Sequence, residues 1–375
     1  MAFFMGLLTG VVFGTAFYKV GATRYSRMIG MASFTDNKIA KFAFFTIATG
    51  SIIYGLGHVF GVNDAWNLNP RIMPYLGPAH ILGGMIFGSA LAIGGYCPGA
   101  CVIRSGTAPS RNKFEGFSAL IGLFVGVYAF LLLKEPMVSA GILLERPVPV
   151  TLHGFLGIDY GPLAIAFGIL FLFIAIYTHV SGTERRYESS KSLHGPLDLI
   201  RGEWNWAFAA FVAGCTVVWA SSQGGYLGFS GSVLAIMSWA VDLVGINDPN
   251  LPPMTEALEW RAALLLGLVP GGLLARLWSI HSKKYVECHD KVPKVFNGKA
   301  IVKAFIIGMA IAFGAMTGGG CTTGAYMAAF PTLSMGSFMM AATFFVTNKL
   351  YGYWRYARDE KFIAEIQKVG DQTYN

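Results

Sequence analysis

The sequence is short of charge. Asp, Glu, Lys and Arg make up 13% of its 375 residues, about half of the roughly 25% that an ordinary soluble domain carries. Cysteine is scarce as well. Five cysteines dispersed along a chain of this length exclude a disulfide scaffold. Carboxylates are missing from the middle of every long apolar run, so a proton or sodium relay through buried acids lacks its usual parts. Cys97 and Cys101 have i,i+4 spacing, but no His or carboxylate nearby completes a tetrahedral set, so no metal site is expected. No cofactor motif is present.

What is abundant is apolar surface and glycine. Hydrophobic residues reach 54% and the mean hydropathy is +0.53. Forty-seven glycines exclude a coiled coil, and no G-X-Y period supports collagen. The remaining class is an all-α polytopic membrane protein. A crossing helix needs about 20 mostly apolar residues, and nine runs qualify: 2–18, 42–61, 77–96, 114–133, 160–180, 205–222, 258–278, 300–318 and 335–354. The first lacks a basic leader and a small-residue cleavage site, so it reads as a retained span rather than a signal peptide.

The linkers orient these spans. Segments 19–41, 104–113, 181–203, 276–303 and 355–375 hold 23 Lys and Arg between them. The alternate linkers hold only Arg71, Lys134, Arg146 and Arg261. Basic loops stay in the cytoplasm, which predicts an outside amino terminus and a cytoplasmic carboxyl terminus. The net charge of +8 is then a topology signal, not a nucleic-acid footprint. Lys349, near the end of the last run, should snorkel to the inner surface. His58 and His80 fall near outer span ends, where an interfacial role is expected.

Four hydrophobic pieces are too short to cross: 25–34, 98–107, 227–241 and 321–333. Each begins near glycine or proline, as a re-entrant or broken helix would. Such backbone is tolerated at membrane depth only when protein or a water-filled cavity surrounds it. An internal repeat points to the same places. At an offset of 224 residues, Gly84 falls on Gly308, Ala90 on Gly314 and Cys97 on Cys321. The two copies end the third and eighth spans, an odd number of crossings apart. That predicts two inverted halves, 1–180 including a linking fifth span and 181–354, followed by a cytoplasmic tail at 355–375. In inverted-repeat transporters the substrate site lies where such breaks meet.

The first break reads Gly94-Gly95-Tyr96-Cys97-Pro98-Gly99-Ala100-Cys101. Two glycines unwind one helix and Pro98 suits the first position of the next. Cys97 then caps a helix amino terminus, a natural anion site. The second break, Gly318-Gly319-Gly320-Cys321-Thr322-Thr323-Gly324, repeats the design with two hydroxyls added. Taken singly, glycines in membrane helices usually serve close packing, and a buried cysteine is usually an inert small hydrophobe. Packing alone would not require a cysteine at both breaks. The candidate substrate contacts are therefore Cys97, Cys321, Cys101, Thr322, Thr323, Gly94, Gly95, Gly319 and Gly320. Cys215 and Cys288 read as bystanders. Cys288-His289-Asp290 imitates a triad but sits in a charged linker without an oxyanion scaffold. Thiols at two breaks suit a small, soft, sulfur-bearing anion better than a hard carboxylate.

At these motifs the chain resembles the YeeE/YedE family of prokaryotic inner-membrane proteins, whose members include thiosulfate-uptake transporters. The resemblance is strongest over Gly83 to Arg104 and Phe313 to Gly352 and covers most of the chain. Arg24-Tyr25-Ser26 is similar to the end of the family's first span, and Gly-Tyr-Leu-Gly-Phe-Ser at 225–230 to its counterpart in the second half. The resemblance implies an hourglass-like helical fold with inverted halves and cysteines in a central constriction that relay thiosulfate by weak S–H···S contacts. It assigns two relay positions to Cys97 and Cys321. The third departs from the pattern, because Ser26 stands where transporting members often carry cysteine. The family is also associated with selenium metabolism and with small cytosolic sulfurtransferases of the TusA type. The expected activity is import of thiosulfate or a related sulfur compound through the bilayer of a prokaryotic inner membrane. A membrane thiol oxidoreductase or sulfurtransferase using a cysteine persulfide is the rival reading, and a structural or regulatory subunit a third.

Overall fold

The computed structural model describes residues 1–34, 36–107, 113–181, 202–245, 248–280 and 298–356. Among these residues there is no strand. Thirteen α-helices follow in order: α1 Ala2–Lys19, α2 Tyr25–Ser33, α3 Lys38–Val59, α4 Ala79–Gly94, α5 Pro98–Thr107, α6 Lys113–Ser139, α7 Leu152–Leu156, α8 Tyr160–Ser181, α9 Trp206–Ser222, α10 Phe229–Val244, α11 Glu256–Ile280, α12 Gly298–Thr317 and α13 Met335–Tyr356. A π turn at Thr322–Ala328 and a 3-10 turn at Phe330–Thr332 lie between α12 and α13.

All nine predicted runs are helical. Seven stretches are long and apolar enough to cross a membrane: α1, α3, α4 with α5, α6, α8, α11, and α12 with the π turn. The other two differ for separate reasons. α9 has only 17 residues, and the 22-residue α13 carries Asn348, Lys349 and Arg355 toward its end. The four short pieces form α2, α5, α10 and the π and 3-10 turns.

One packing arrangement occurs twice. α1 lies along α11 as α9 lies along α3, and α12 lies along α6 as α4 lies along α13. Each of these pairs runs parallel. Gly6, Gly10 and Gly14 meet Trp260, Leu264 and Leu268 in turn, leaving no room for a Cβ. Thr46 and Tyr54 donate to the carbonyls of Ala210 and Val217, both at 3.3 Å. α4 and α12 are equivalent helices, and they cross antiparallel: Gly83 touches Gly318, while Gly94 touches Ile307 eleven residues earlier in the chain. Small residues let these backbones approach, which is how membrane helices gain contact without a hydrophobic drive between them.

The outer faces are greasy. α6 exposes Phe114, Phe117, Ile121, Val125 and Leu132 at helical spacing, and α8 exposes Ile169, Phe173, Ile176 and Val180. In water these stripes would be costly at roughly 25 cal/mol per Å². Against lipid tails they are at home.

Candidate functional site

Each break is built from one left-handed glycine and one capping cysteine. α4 stops at Gly95, whose φ of +63° few other residues adopt without strain, and its N–H bonds back to the Leu91 carbonyl. Pro98 then opens α5 with its fixed φ. Cys97 is the cap, its carbonyl accepting from the Cys101 N–H at 2.9 Å. In the second half Gly319 has φ +86°, and Cys321 caps the π turn in extended backbone, its carbonyl accepting from the Ala325 N–H at 2.8 Å. Gly95 matches Gly319 and Cys97 matches Cys321 at the same offset of 224. A π turn leaves its backbone groups less regularly paired than an α-helix, a form frequent at functional sites.

The breaks meet. Cys97 interacts with the Thr322 side chain and with the backbone amides of Gly99 and Ala100, and it couples electrostatically to Cys321. Both thiols are sealed from the surface, at 1% and 0% exposure. α2 and α10 complete the junction. Tyr25 packs against Gly95, Phe229 against Gly99, and Gly228 against Gly324. The amino termini of α2, α10 and the π turn have no side-chain cap, and a helix amino end carries partial positive charge. Thr323 adds a fully buried hydroxyl with no hydrogen-bond partner.

The remaining predicted contacts are distributed around this junction. Gly94 and Gly320 are spacers: a Cβ on the first would stand 2.5 Å from Ile307, and on the second 2.9 Å from the Ala325 nitrogen. Cys101 is buried one turn beyond Cys97, and its thiol points to the Gly116 carbonyl of α6 at 3.9 Å. Ser26 lies in the first turn of α2, and its side chain is outside the described ones. Cys215 is a free thiol on α9. Cys288, with His289 and Asp290, lies outside the described residues.

Several residues at the site escaped the sequence reading. His80 is fully buried. Its Nε2 accepts from the Leu76 N–H at 2.9 Å, so Nδ1 carries the proton and donates to the Gly318 carbonyl at 2.9 Å. The imidazole thus fastens the loop before α4 to the second break. Lys349 has partners within the fold. Its ammonium donates to the Met31 carbonyl and sits 3.9 Å over the Phe34 ring, closing the carboxyl end of α2. Glu203, just before α9, gathers Lys38, Arg27 and Arg24 at 3.1, 3.4 and 3.6 Å. Burial opposes its ionisation, but Arg24, Lys38 and Arg27 outweigh that and hold the carboxyl well below the usual range. Arg71 and Arg261 stack on Tyr226 beside Cys321. The only earlier signal for the two arginines was their isolation in cation-poor stretches.

Paired helix breaks inside a bundle of apolar helices define a multi-pass membrane transporter. The chain belongs to the sulphur-transport family, whose sequence profile matches residues 21–350, and this bears out the YeeE/YedE resemblance. It is also similar to the thiosulfate transporter TsuA of Spirochaeta thermophila, with 23% identity over 354 residues, 92% of this chain and 96% of that protein.

Proposed function

We propose that this protein is a permease that imports thiosulfate, or a closely related small sulfur anion, across a prokaryotic inner membrane, and that it is not an enzyme. The observation that carries this reading is the pair of equivalent glycine–cysteine breaks, with Cys97 of the first interacting with the Thr322 side chain of the second. Residues 1–180 and 181–354 act as inverted halves, with the amino terminus outside and the 355–375 tail in the cytoplasm. The uncapped helix ends attract the anion, and Thr322 and Thr323 donate to its oxygens. Cys97 and Cys321 pass its terminal sulfur along by S–H contacts, and Ser26 supplies a hydroxyl at the remaining station. Cys101 backs the first break from one turn away. On the cytoplasmic side a small sulfurtransferase of the TusA type is a suitable recipient, on the strength of the family resemblance alone.

The test is uptake of sulfur-labelled thiosulfate by cells lacking their own systems, set against sulfate, sulfite, sulfide and selenite. The expected result is saturable thiosulfate uptake that excess sulfide does not mimic. Uptake no better than that of cells without the protein would overturn the reading.

A further inference from the structure

Two guanidinium groups stand beside the second break, and the thiol relay makes no use of them. Arg71 comes from the loop between α3 and α4, and Arg261 from the second turn of α11. Both stack on one ring, with Cζ atoms 4.4 and 4.7 Å from the Tyr226 centroid. The break is shaped to admit them. A Cβ on Gly324 would stand 2.8 Å from Arg71 Nη1, and one on Gly231 would overlap the Arg261 guanidinium. Arg71 is anchored by donating Nη2 to the Gly319 carbonyl at 2.6 Å. Arg261 interacts electrostatically with both Arg71 and Cys321.

Tyr226 interacts with both guanidinium groups and hydrogen-bonds to Arg261, but a phenol hydroxyl is no full counter-charge to the pair. Among the described residues no carboxylate pairs with either arginine, and Arg261 Nε is buried with no hydrogen-bond partner. Like charges held this close repel each other, and a ring face offsets only part of that cost. A buried donor without an acceptor adds to it. The missing complement is an anion, and guanidinium forks match the oxygens of a tetrahedral oxyanion. We infer that Arg71, Arg261 and Tyr226 form a charge-reading station that captures a divalent oxyanion by its oxygens and leaves its soft sulfur free to move on to Cys321.

This deepens the permease reading and rests on it for the identity of the cargo. Two cations favour a dianion over a monoanion. The station reads oxygens and charge, whereas the thiols read sulfur. Sulfate should therefore occupy the station and compete with thiosulfate without being carried.

The experiment uses purified full-length protein in detergent, with sodium sulfate as the probe against sodium chloride at matched ionic strength. Sulfate should raise the unfolding temperature of the wild type, and Arg71→Gln and Arg261→Gln should each weaken that binding at least tenfold. Arg71→Lys and Arg261→Lys should fall between, because an ammonium keeps the charge and loses the fork. These lysine variants also decide the matter if a glutamine variant fails to reach the membrane. In cells, sulfate should inhibit thiosulfate uptake by the wild type, with a rise in KM rather than a fall in maximal rate. Wild-type sulfate affinity in both glutamine variants, or no preference for sulfate over chloride in the wild type, would overturn the station. Arginine-dependent sulfate binding by a protein that takes up no thiosulfate would instead sink the permease reading and leave the station standing.

Discussion

A cysteine at a helix cap faces several backbone N–H groups at once, and here both breaks carry one. If the relay is non-covalent, Cys97 serves as a weak donor and a polarizable contact. Serine keeps a donor and nearly the same volume. Cys97→Ser should then retain most of the uptake, whereas Cys97→Ala should lose more, up to about tenfold, since a hydrogen bond contributes roughly 0.5–1.5 kcal/mol. A persulfide route needs the thiolate as nucleophile. Equal and complete loss in both variants, with one added sulfur on Cys97 by mass spectrometry after thiosulfate exposure, would favour the sulfurtransferase instead. The two threonines separate differently. Thr322 already has Cys97 as a partner, so Thr322→Val should cost both stability and uptake. Thr323 has a buried hydroxyl with nothing to bond, a penalty of about 1–3 kcal/mol in the empty protein. Thr323→Val should leave the protein as stable as wild type or more so, while weakening thiosulfate affinity roughly tenfold through a lost charge-assisted bond. Thermal unfolding and uptake measured side by side on both variants check this.

The short helices at the breaks owe their position to residues distant in sequence. α2 is held at its amino end through Arg24 and Arg27 on Glu203, and at its carboxyl end through Lys349 on Met31. Because the folded Glu203 carboxyl is held below its ordinary range, its contribution to stability is complete above the unfolded carboxylate pKa of about 4.3. It is lost as pH falls below that value toward the folded one. Glu203→Gln should destabilise the protein by about 3 kcal/mol, as expected when one member of a buried ion cluster is removed. Unfolding temperatures should differ by a constant amount from about pH 8 to 5 and converge below about pH 4. A gap that persists undiminished into acid would show that the carboxylate charge is not what holds α2. Such links explain what sequence reading could and could not find. Period, length and glycine punctuation are local, and they located the nine long helical runs and the four short pieces. The partnerships of His80, Glu203 and Lys349 cross up to 318 positions, and no local pattern records them. Arg71 and Arg261 were visible, but only as lone cations counted for topology. Their shared ring belongs to α10's approach, which only the fold supplies.

For the molecule as a whole, the question is which way the junction faces. The helix pairs α1 with α11 and α9 with α3, like α12 with α6 and α4 with α13, repeat one arrangement. The equivalent helices α4 and α12 cross antiparallel. If residues 1–180 and 181–354 are inverted halves, as proposed, one approaches the junction from one membrane surface and the other from the opposite surface, a plan in which a substrate can be offered to either side in turn. The basic loops choose the sides, because Lys and Arg are retained in the cytoplasm. Reporters fused after Lys113, Arg201 and Lys299 should report cytoplasm, and those fused near Asn69, Glu145 and Pro252 the outside. Asn69 lies two residues before Arg71, so an outside reporter there would also put the guanidinium pair on the side from which an imported anion arrives. If the orientation were reversed, the pair would face the cytoplasm, and the same geometry would describe release or export. If both sets of fusions reported one compartment, the halves would not span in opposite senses and the repeat could not form a two-sided path. Thiosulfate uptake with Asn69 cytoplasmic would separate import from the orientation argued here, and the arginine station would then have to act at the exit.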